Sequence, residues 1–163
     1  MKRGILAPRA PLESSVPLIP RFVAYAAAFE KSYASDDWSL VEPFFTEDAV
    51  YEIDVGPPLG GRFEGRAAIL AYFGDILDRF DRRFASRELA LLEGPRETAD
   101  SVWIRGSATY RAPGVPEFTL ELEETVRFDG ERICRLEDHY EPEMERALAD
   151  YLKAHGGKLG SHV

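Results

Sequence analysis

Apolar and polar residues alternate along residues 117–128, E-F-T-L-E-L-E-E-T-V-R-F, and strict alternation is typical of a β-strand whose two faces differ. The even-numbered face is apolar except for Glu124, whereas the odd-numbered face carries only glutamate, threonine and arginine. An ionised carboxylate is costly to move into an apolar environment. The pattern therefore predicts a strand with one buried face, and it singles out Glu124 as the residue on that face that needs an explanation.

Similar patterns predict the other elements. Aromatic residues recur at helical spacing from Phe22 to Tyr33, after a proline placed for a first helical turn. The D-G pair at 129–130 indicates a tight hairpin, and G-P-P-L-G-G indicates a loop. Helices are predicted over 20–34, 38–45, 65–80 and 142–155, and strands over 48–55, 83–93, 101–112, 117–128 and 132–141. This order predicts an α+β fold with the helices on one side of the sheet.

Length and composition indicate the domain organisation. The chain has 163 residues, of which 45% are hydrophobic, and this suits a single globular domain with a substantial core. Prolines interrupt the first twenty residues, and the end of the chain is rich in glycine. We expect an extended arm over 1–19, one domain over 20–155 and a flexible tail over 156–163.

Charge and cysteine content narrow the range of partners. The net charge of −9 argues against a nucleic-acid or anionic-membrane partner, because both are polyanions. No apolar run is long enough to cross a bilayer, and no stretch resembles a signal peptide. The single cysteine, Cys134, cannot form an internal disulfide, which favours a cytoplasmic location.

Three stretches resemble the nuclear-transport-factor-2-like superfamily, and within it the SnoaL-like group. They are the helix-to-strand segment D-D-W-S-L-V-E-P-F-F-T-E-D-A-V-Y-E-I, the glycine-led helix F-E-G-R-A-A-I-L-A-Y-F and the last hairpin V-R-F-D-G-E-R-I-C-R-L-E-D-H-Y. The resemblance covers residues 20–142. It implies a cone-shaped, curved antiparallel or mixed sheet wrapped by three to four helices, with a pocket in its mouth and a homodimer formed through the sheet face. It does not specify a function, because this fold hosts isomerases, cyclases, dehydratases, epoxide hydrolases and non-catalytic modules.

Glu124 has a counterpart on the next strand. In R-I-C-R-L-E-D-H-Y the alternation puts Asp138 on one face with Leu136 and Tyr140. Neighbours in a hairpin lie close across the ladder, so the two acids could share one cavity. Lost hydration raises a carboxyl pKa and prepares the group for proton transfer. The resemblance to SnoaL-like cyclases also implies a pocket aspartate five residues after Ile133, which is Asp138. Glu124 and Asp138 are therefore the candidate catalytic residues, and a structural hydrogen bond, ion pair or helix cap is the alternative.

The ketosteroid isomerase branch of the superfamily provides a comparison. Aligned by eye, its acid donor falls at Glu124, but its basic aspartate falls at Ile53 and its tyrosine donor near Phe29. Asp54 is adjacent, yet a one-residue offset faces the opposite side of the sheet. The epoxide hydrolase branch needs an arginine where this chain has Leu122. Neither of those two mechanisms is expected here in its usual form.

Apolar and aromatic residues around the two acids are candidates for contacting a substrate. Tyr51 and Tyr140 share the inward parity of their strands, so a hydroxyl near the acids could bind or polarise a carbonyl oxygen. The alternative for each aromatic residue is a place in the core. The predicted substrate-binding set is Phe29, Tyr33, Tyr51, Ile53, Phe73, Leu122, Leu136 and Tyr140.

Other reactive residues give weaker signals. Trp103 and Arg105 fall on the polar face of their strand, which favours a solvated or dimer-facing position, although an inverted strand would put them in the cavity. His139 faces away from Asp138, and no spacing indicates a zinc or iron site. Cys134 has the parity of Asp138 and suits a buried structural thiol. No metal and no cofactor is predicted.

The leading hypothesis is a cofactor-independent acid/base enzyme that acts on a small apolar carbonyl compound. Isomerisation, aldol-type cyclisation and dehydration all fit two nearby carboxyls with different pKa values. A pocket that binds an apolar ligand without catalysis is the second hypothesis, and an assembly subunit is the third. The acidic, threonine-rich outer face of residues 117–127 makes a wholly hydrophobic assembly interface less favourable.

Overall fold

The structure is a computed structural model that describes residues 16–160. Most of the predicted arm and the last three residues of the predicted tail lie outside the described residues. The α-helices are α1 (Leu18–Ser35), α2 (Arg66–Arg79) and α3 (Pro142–His155). The strands are β1 (Phe45–Asp54), β2 (Gly61–Glu64), β3 (Ser86–Glu97), β4 (Ser101–Arg111), β5 (Phe118–Asp129) and β6 (Arg132–His139). These elements confirm the predicted α+β class.

The six strands form one mixed sheet in the order β2-β1-β6-β5-β4-β3. Consecutive strands β3 to β6 are antiparallel, as their short connections require, whereas β1 pairs with β6 in parallel. This parallel pairing places the first strand beside the last hairpin. Residues from both ends of the domain therefore meet in the middle of the sheet.

Two elements differ from the sequence-based expectation. The helix predicted over 38–45 consists of two 3₁₀ turns, Trp38–Leu40 and Glu42–Phe44, because Pro43 interrupts the segment and Asp37 caps only the first turn. The G-P-P-L-G-G loop ends in β2, a four-residue edge strand that the glycine-rich composition concealed. The strand is short and only one of its residues is partly buried, so alternation gave no signal there.

Helix α1 begins two residues earlier than predicted, and its N-terminus is held from across the fold. Glu97, at the end of β3, accepts hydrogen bonds from the backbone amides of Leu18 and Ile19, the latter at 2.8 Å. A carboxylate is favourable at a helix N-terminus because it satisfies free amides and the helix dipole. The contact ties the edge strand of the sheet to the helix that covers its inner face.

The core lies between the inner face of the sheet and helices α1 and α2. Phe45, Ile69, Phe80, Ile133 and Leu136 are at most 1% exposed. The helices supply the aromatic stripe that the 3.6-residue period predicts. Packing is therefore one-sided, and the other face of the sheet is left to polar residues.

The outer face of the sheet is covered by ion pairs. Arg105 lies 3.3 Å from Glu121, and Arg111 lies 2.9 Å from both Glu88 and Glu117. The side chain of Arg105 is 39% exposed, which confirms the prediction that it faces away from the core. Exposed pairs of this kind contribute little stability each.

Part of the predicted flexible tail is packed on the domain. Residues 156–158 form a 3₁₀ turn, and Leu159 is buried in the core. Arg83 donates hydrogen bonds to the carbonyls of Gly156 at 2.6 Å and Gly160 at 3.1 Å. The glycine composition suggested a frayed end, but one leucine and one distant arginine are enough to hold this segment. Within residues 16–160, none of the helices has the length and apolarity to cross a membrane.

Candidate functional site

A cavity of about 450 Å³ lies between the inner face of the sheet and helices α1 and α2. Its wall is mainly apolar and aromatic, and its volume is in the range of small-molecule sites. Leu89 and Leu91 of edge strand β3 line it and are 54% and 57% exposed, so they form its rim. The interior is thus a hollow in the cone that opens at one side.

Most of the predicted substrate-binding residues line this cavity. The exception is Tyr33, whose ring instead lies under the guanidinium of Arg87 at 4.1 Å and outside the cavity wall. Tyr33 lies near the C-terminal end of α1, beyond the part of the helix whose residues line the cavity. The lining members of the set are Phe29, Tyr51, Ile53, Phe73, Leu122, Leu136 and Tyr140. Their contact with a ligand stays a prediction.

The two candidate acids stand directly opposite each other. Glu124 of β5 and Asp138 of β6 are register partners across the hairpin, and both line the cavity. Their carboxyl groups are within hydrogen-bonding range of each other. Asp138 is 6% exposed, whereas Glu124 is partly exposed. The hairpin, together with the register shift between Arg127 and Phe128, therefore brings both acids to the same point of the cavity wall.

Tyr51 of β1 completes the group from the other side. Its hydroxyl donates a 2.5 Å hydrogen bond to Oδ2 of Asp138. The bond is possible because β1 runs parallel to β6 with Tyr51 beside Leu136, two residues before Asp138. Oδ1 of Asp138 is buried and has no conventional donor among the described residues, so a proton on Glu124 is the donor that the pair itself can supply.

The environment separates the pKa values of the two acids. Burial raises the pKa of Glu124 well above its usual range, and the charge and hydrogen bond of Asp138 raise it further. Burial also raises the pKa of Asp138, to about 6, while hydrogen bonds from Tyr51 and Glu124 oppose that rise. Because the two acids interact directly, they titrate as a pair, and burial together with the charge of Asp138 makes Glu124 the acid whose pKa is raised well above its usual range.

A second polar cluster lines the same cavity, and the sequence analysis missed it. Asp81, which follows α2, accepts a 3.0 Å hydrogen bond from the hydroxyl of Tyr110, and its Oδ2 lies 3.7 Å from Nε of Arg87. Burial raises the pKa of Asp81 to about 6, against the opposing effect of Arg87. Arg87 has the parity of Leu89 and Leu91 in β3, so the signal that singled out Glu124 was present here as well.

Other residues occupy the faces that alternation indicated, with one exception. His139 lies on the outer face and is hydrogen-bonded to Asp54 at 2.9 Å. Trp103 packs under Arg96 at 4.6 Å. Cys134 was expected in the core but is partly exposed, because a register shift between Arg127 and Phe128 turns the strand. Among the described residues, no group of three or more histidines, cysteines and acids has the geometry to hold a metal ion.

Comparison with protein families gives a match to the SnoaL-like domain over residues 23–136, which is most of the folded chain. The chain belongs to the SnoaL-like family. This agrees with the resemblance that the sequence motifs indicated and with the mixed sheet that the structure shows. No curated protein matches the sequence.

Several solved structures share this fold at low sequence identity. TerC, crystallised with polyporic acid, is 18% identical with a TM-score of 0.62, and the match covers 82% of this chain and 98% of TerC. A protein from Catenulispora acidiphila with a ketosteroid isomerase-like fold, crystallised with trimethylamine, is 18% identical with a TM-score of 0.55 over 76% and 89% of the two chains. A Sinorhizobium meliloti protein provisionally named a polyketide cyclase is 22% identical with a TM-score of 0.51 over 71% and 93%. These similarities establish the architecture.

Proposed function

We propose that this SnoaL-like protein is a cofactor-independent acid/base enzyme that moves a proton next to a carbonyl group of a small apolar substrate. The observation that carries the proposal is the pair Glu124 and Asp138, which are register partners in one mainly apolar cavity and whose pKa values burial raises. A base and an acid at one point are what isomerisation, aldol-type cyclisation and dehydration require.

In this proposal each acid has its own role. Asp138, ionised at neutral pH, removes a proton from the carbon next to the carbonyl, and the electron pair of the broken C–H bond forms the enol double bond. The carbonyl oxygen takes the proton of Glu124 as its own π bond opens, so no free enolate accumulates. Reversal at another carbon gives an isomer and returns both acids to their starting states. Tyr51 positions Asp138 throughout.

The position of the base also fits the family comparison. Ile53, which occupies the place of the basic aspartate in the ketosteroid isomerase branch, is the register partner of Asp138 on the neighbouring strand. The carboxylate of Asp138 on β6 can therefore reach the part of the cavity that an aspartate at position 53 of β1 would face. The Sinorhizobium meliloti protein, provisionally named a polyketide cyclase, supports an enzyme of this general kind on the same architecture, and TerC, crystallised with polyporic acid, supports a small-molecule ligand.

The direct test is exchange of carbon-bound hydrogen for deuterium next to a ketone, followed by NMR in D₂O. We use 2-tetralone and 3-deoxyestrone as apolar ketones. The wild type should accelerate exchange, and both Asp138→Asn and Glu124→Gln should lower the rate at least about 100-fold. Glu137→Gln and Glu123→Gln are matched controls, because each removes a neighbouring carboxyl on the outer face.

The outcomes separate this proposal from its alternatives. Tight binding of the ketones with no acceleration would support a non-catalytic ligand-binding protein. Neither binding nor exchange would favour an assembly subunit. Equal exchange in the wild type and in both carboxamide variants would contradict the role of the pair. The homodimer through the sheet face and the cytoplasmic location stay predictions from the sequence.

A further inference from the structure

The cavity has a second polar region far from the carboxyl pair. Glu124 pairs with Ile104 in the β4–β5 ladder, and Tyr110 lies six residues further along the same face of β4. At about 3.3 Å per residue, their Cα positions are separated by roughly 20 Å along the strand. Arg87 of β3 is the register partner of Tyr110, and both line the cavity. The cavity is thus polar at two places, and Tyr140 lies within reach of both, because the charges of Asp138 and Asp81 add to burial in raising its pKa.

Arg87 has hydrogen-bonding capacity that the protein does not use. Its side chain is 7% exposed, and its terminal nitrogens donate to Glu30, the closer at 2.7 Å. Nε is buried and has no hydrogen-bond partner among the described residues, since Oδ2 of Asp81 is too distant at 3.7 Å. A buried donor left without an acceptor is unfavourable, and the attraction of Asp81 at 3.7 Å offsets this only in part. A hydroxyl bound beside Arg87 and Asp81 would supply the missing acceptor if the Arg87 side chain turned slightly toward the cavity, because Nε has almost no accessible surface in the present arrangement.

The charges of the cluster indicate which oxygen group fits. Arg87 faces two carboxylates, Glu30 at 2.7 Å and Asp81 at 3.7 Å, so the region has no excess positive charge for a carboxylate or a phosphate. A hydroxyl group can accept from Nε of Arg87 and donate to Asp81 at the same time. Tyr110 holds Asp81 in place for this contact through its 3.0 Å hydrogen bond.

We infer that Arg87 and Asp81 form a second recognition site for a neutral hydroxyl group at the far end of the substrate. This inference rests on the proposed function and specifies its substrate class: an elongated apolar compound with a carbonyl at one end and a hydroxyl at the other. Arg87 and Asp81 bind and orient the substrate, whereas the chemistry takes place at Glu124 and Asp138.

A matched series of rigid ketones tests the inference through binding alone. Estrone carries a ketone and a hydroxyl at opposite ends of a four-ring skeleton, 3-deoxyestrone lacks the hydroxyl, and estrone 3-sulfate replaces it with an anion. In equilibrium dialysis at pH 8, the wild type should bind estrone at least tenfold more tightly than either analogue. The ratio for estrone and 3-deoxyestrone should fall to about one in Arg87→Gln.

Two further variants make the test robust. Asp81→Asn keeps the size of the side chain and removes its charge, so discrimination against estrone 3-sulfate should decrease several-fold. Arg82→Gln is the matched control, because Arg82 is also largely buried and also stacks on Tyr33, at 5.6 Å, but does not line the cavity. It should retain the preference of the wild type for estrone.

Several results would overturn the inference. They are equal affinity of the wild type for estrone and 3-deoxyestrone, no measurable binding of any of the three ketones, or a preference for estrone that survives in Arg87→Gln. Deuterium exchange distinguishes this failure from failure of the proposed function. Exchange without a hydroxyl preference refutes only the second site, and a hydroxyl preference without exchange refutes only the proton transfer.

Discussion

Replacing Asp138 by asparagine should stabilise the protein while it removes activity. Asp138 is 6% exposed, and burial raises its pKa to about 6 from an ordinary value of 3.8. Each tenfold change in the proton affinity corresponds to about 1.4 kcal/mol, so ionised Asp138 lowers the free energy of unfolding by about 3 kcal/mol. Asparagine keeps the shape and can still accept the hydrogen bond of Tyr51, but it carries no charge.

The sign of the pH dependence follows from the same values. Between pH 4 and pH 6 the folded protein holds a proton on Asp138 that the unfolded chain has already released. Unfolding in this window releases that proton, so the free energy of unfolding falls as the pH rises. Above about pH 6, Asp138 is ionised in both the folded and the unfolded state, so its effect on the free energy of unfolding no longer changes with pH. The stability gained by Asp138→Asn should therefore be close to zero at pH 4 and reach about 3 kcal/mol at pH 8.

Urea unfolding of the wild type and Asp138→Asn at a series of pH values measures this difference directly. For a chain of this size a gain of about 3 kcal/mol corresponds to a rise in Tm of roughly 6–12 °C at pH 8. Glu137→Gln is the control, since it removes an exposed carboxyl next to Asp138, and its effect should stay within about 1 kcal/mol at every pH. A loss of stability at pH 8 in Asp138→Asn would refute the reasoning and indicate a structural role for the carboxylate.

Three further predictions concern the same fold. The rate of deuterium exchange in 2-tetralone should rise with pH through about pH 6, as Asp138 loses its proton, and a flat profile from pH 5 to 7 would exclude Asp138 as the base. Tyr51→Phe removes a hydrogen bond that lowers the pKa of Asp138, so this rise should move to higher pH, and an unmoved profile would show that Tyr51 only packs. Glu97→Ala should lower the free energy of unfolding by about 1 kcal/mol in urea titrations, because Leu18 and Ile19 lose their capping carboxylate, and no change would show that the contact is not stabilising.

The carboxyl pair was predictable only in part from local information. Alternation fixes the face of Glu124 in β5, but the turn by itself would place Glu124 opposite Glu137, and the register shift between Arg127 and Phe128 places it opposite Asp138. The same shift changes the face of Cys134, and it has no clear signal in the sequence. Alternation along a strand therefore predicts the faces of residues only where the hydrogen-bonded pairing with the neighbouring strand has no register shift.

The second polar cluster was not predictable in the same way. Arg87, Asp81 and Glu30 come from a strand, a turn and a helix, and their contacts depend on how these elements pack. The inward parity of Arg87 could have been noticed, but its partners and its unpaired Nε could not be read from spacing. Tyr33 illustrates the same limit, because its helical spacing was right and only the packing of α1 places it beyond the cavity.

The distribution of charge across the sheet argues for function in the cavity. On the outer face, arginines such as Arg105 and Arg111 each pair with glutamates, and these exposed charges stay in contact with water, so they change the free energy of unfolding little. On the inner face, no arginine or lysine among residues 16–160 forms an ion pair with Glu124 or Asp138. A structural role would favour an apolar pair at this position, because desolvation and mutual repulsion disfavour two neighbouring acids on the cavity wall. The unpaired carboxyls beside a cavity therefore support the proposal that they take part in proton transfer.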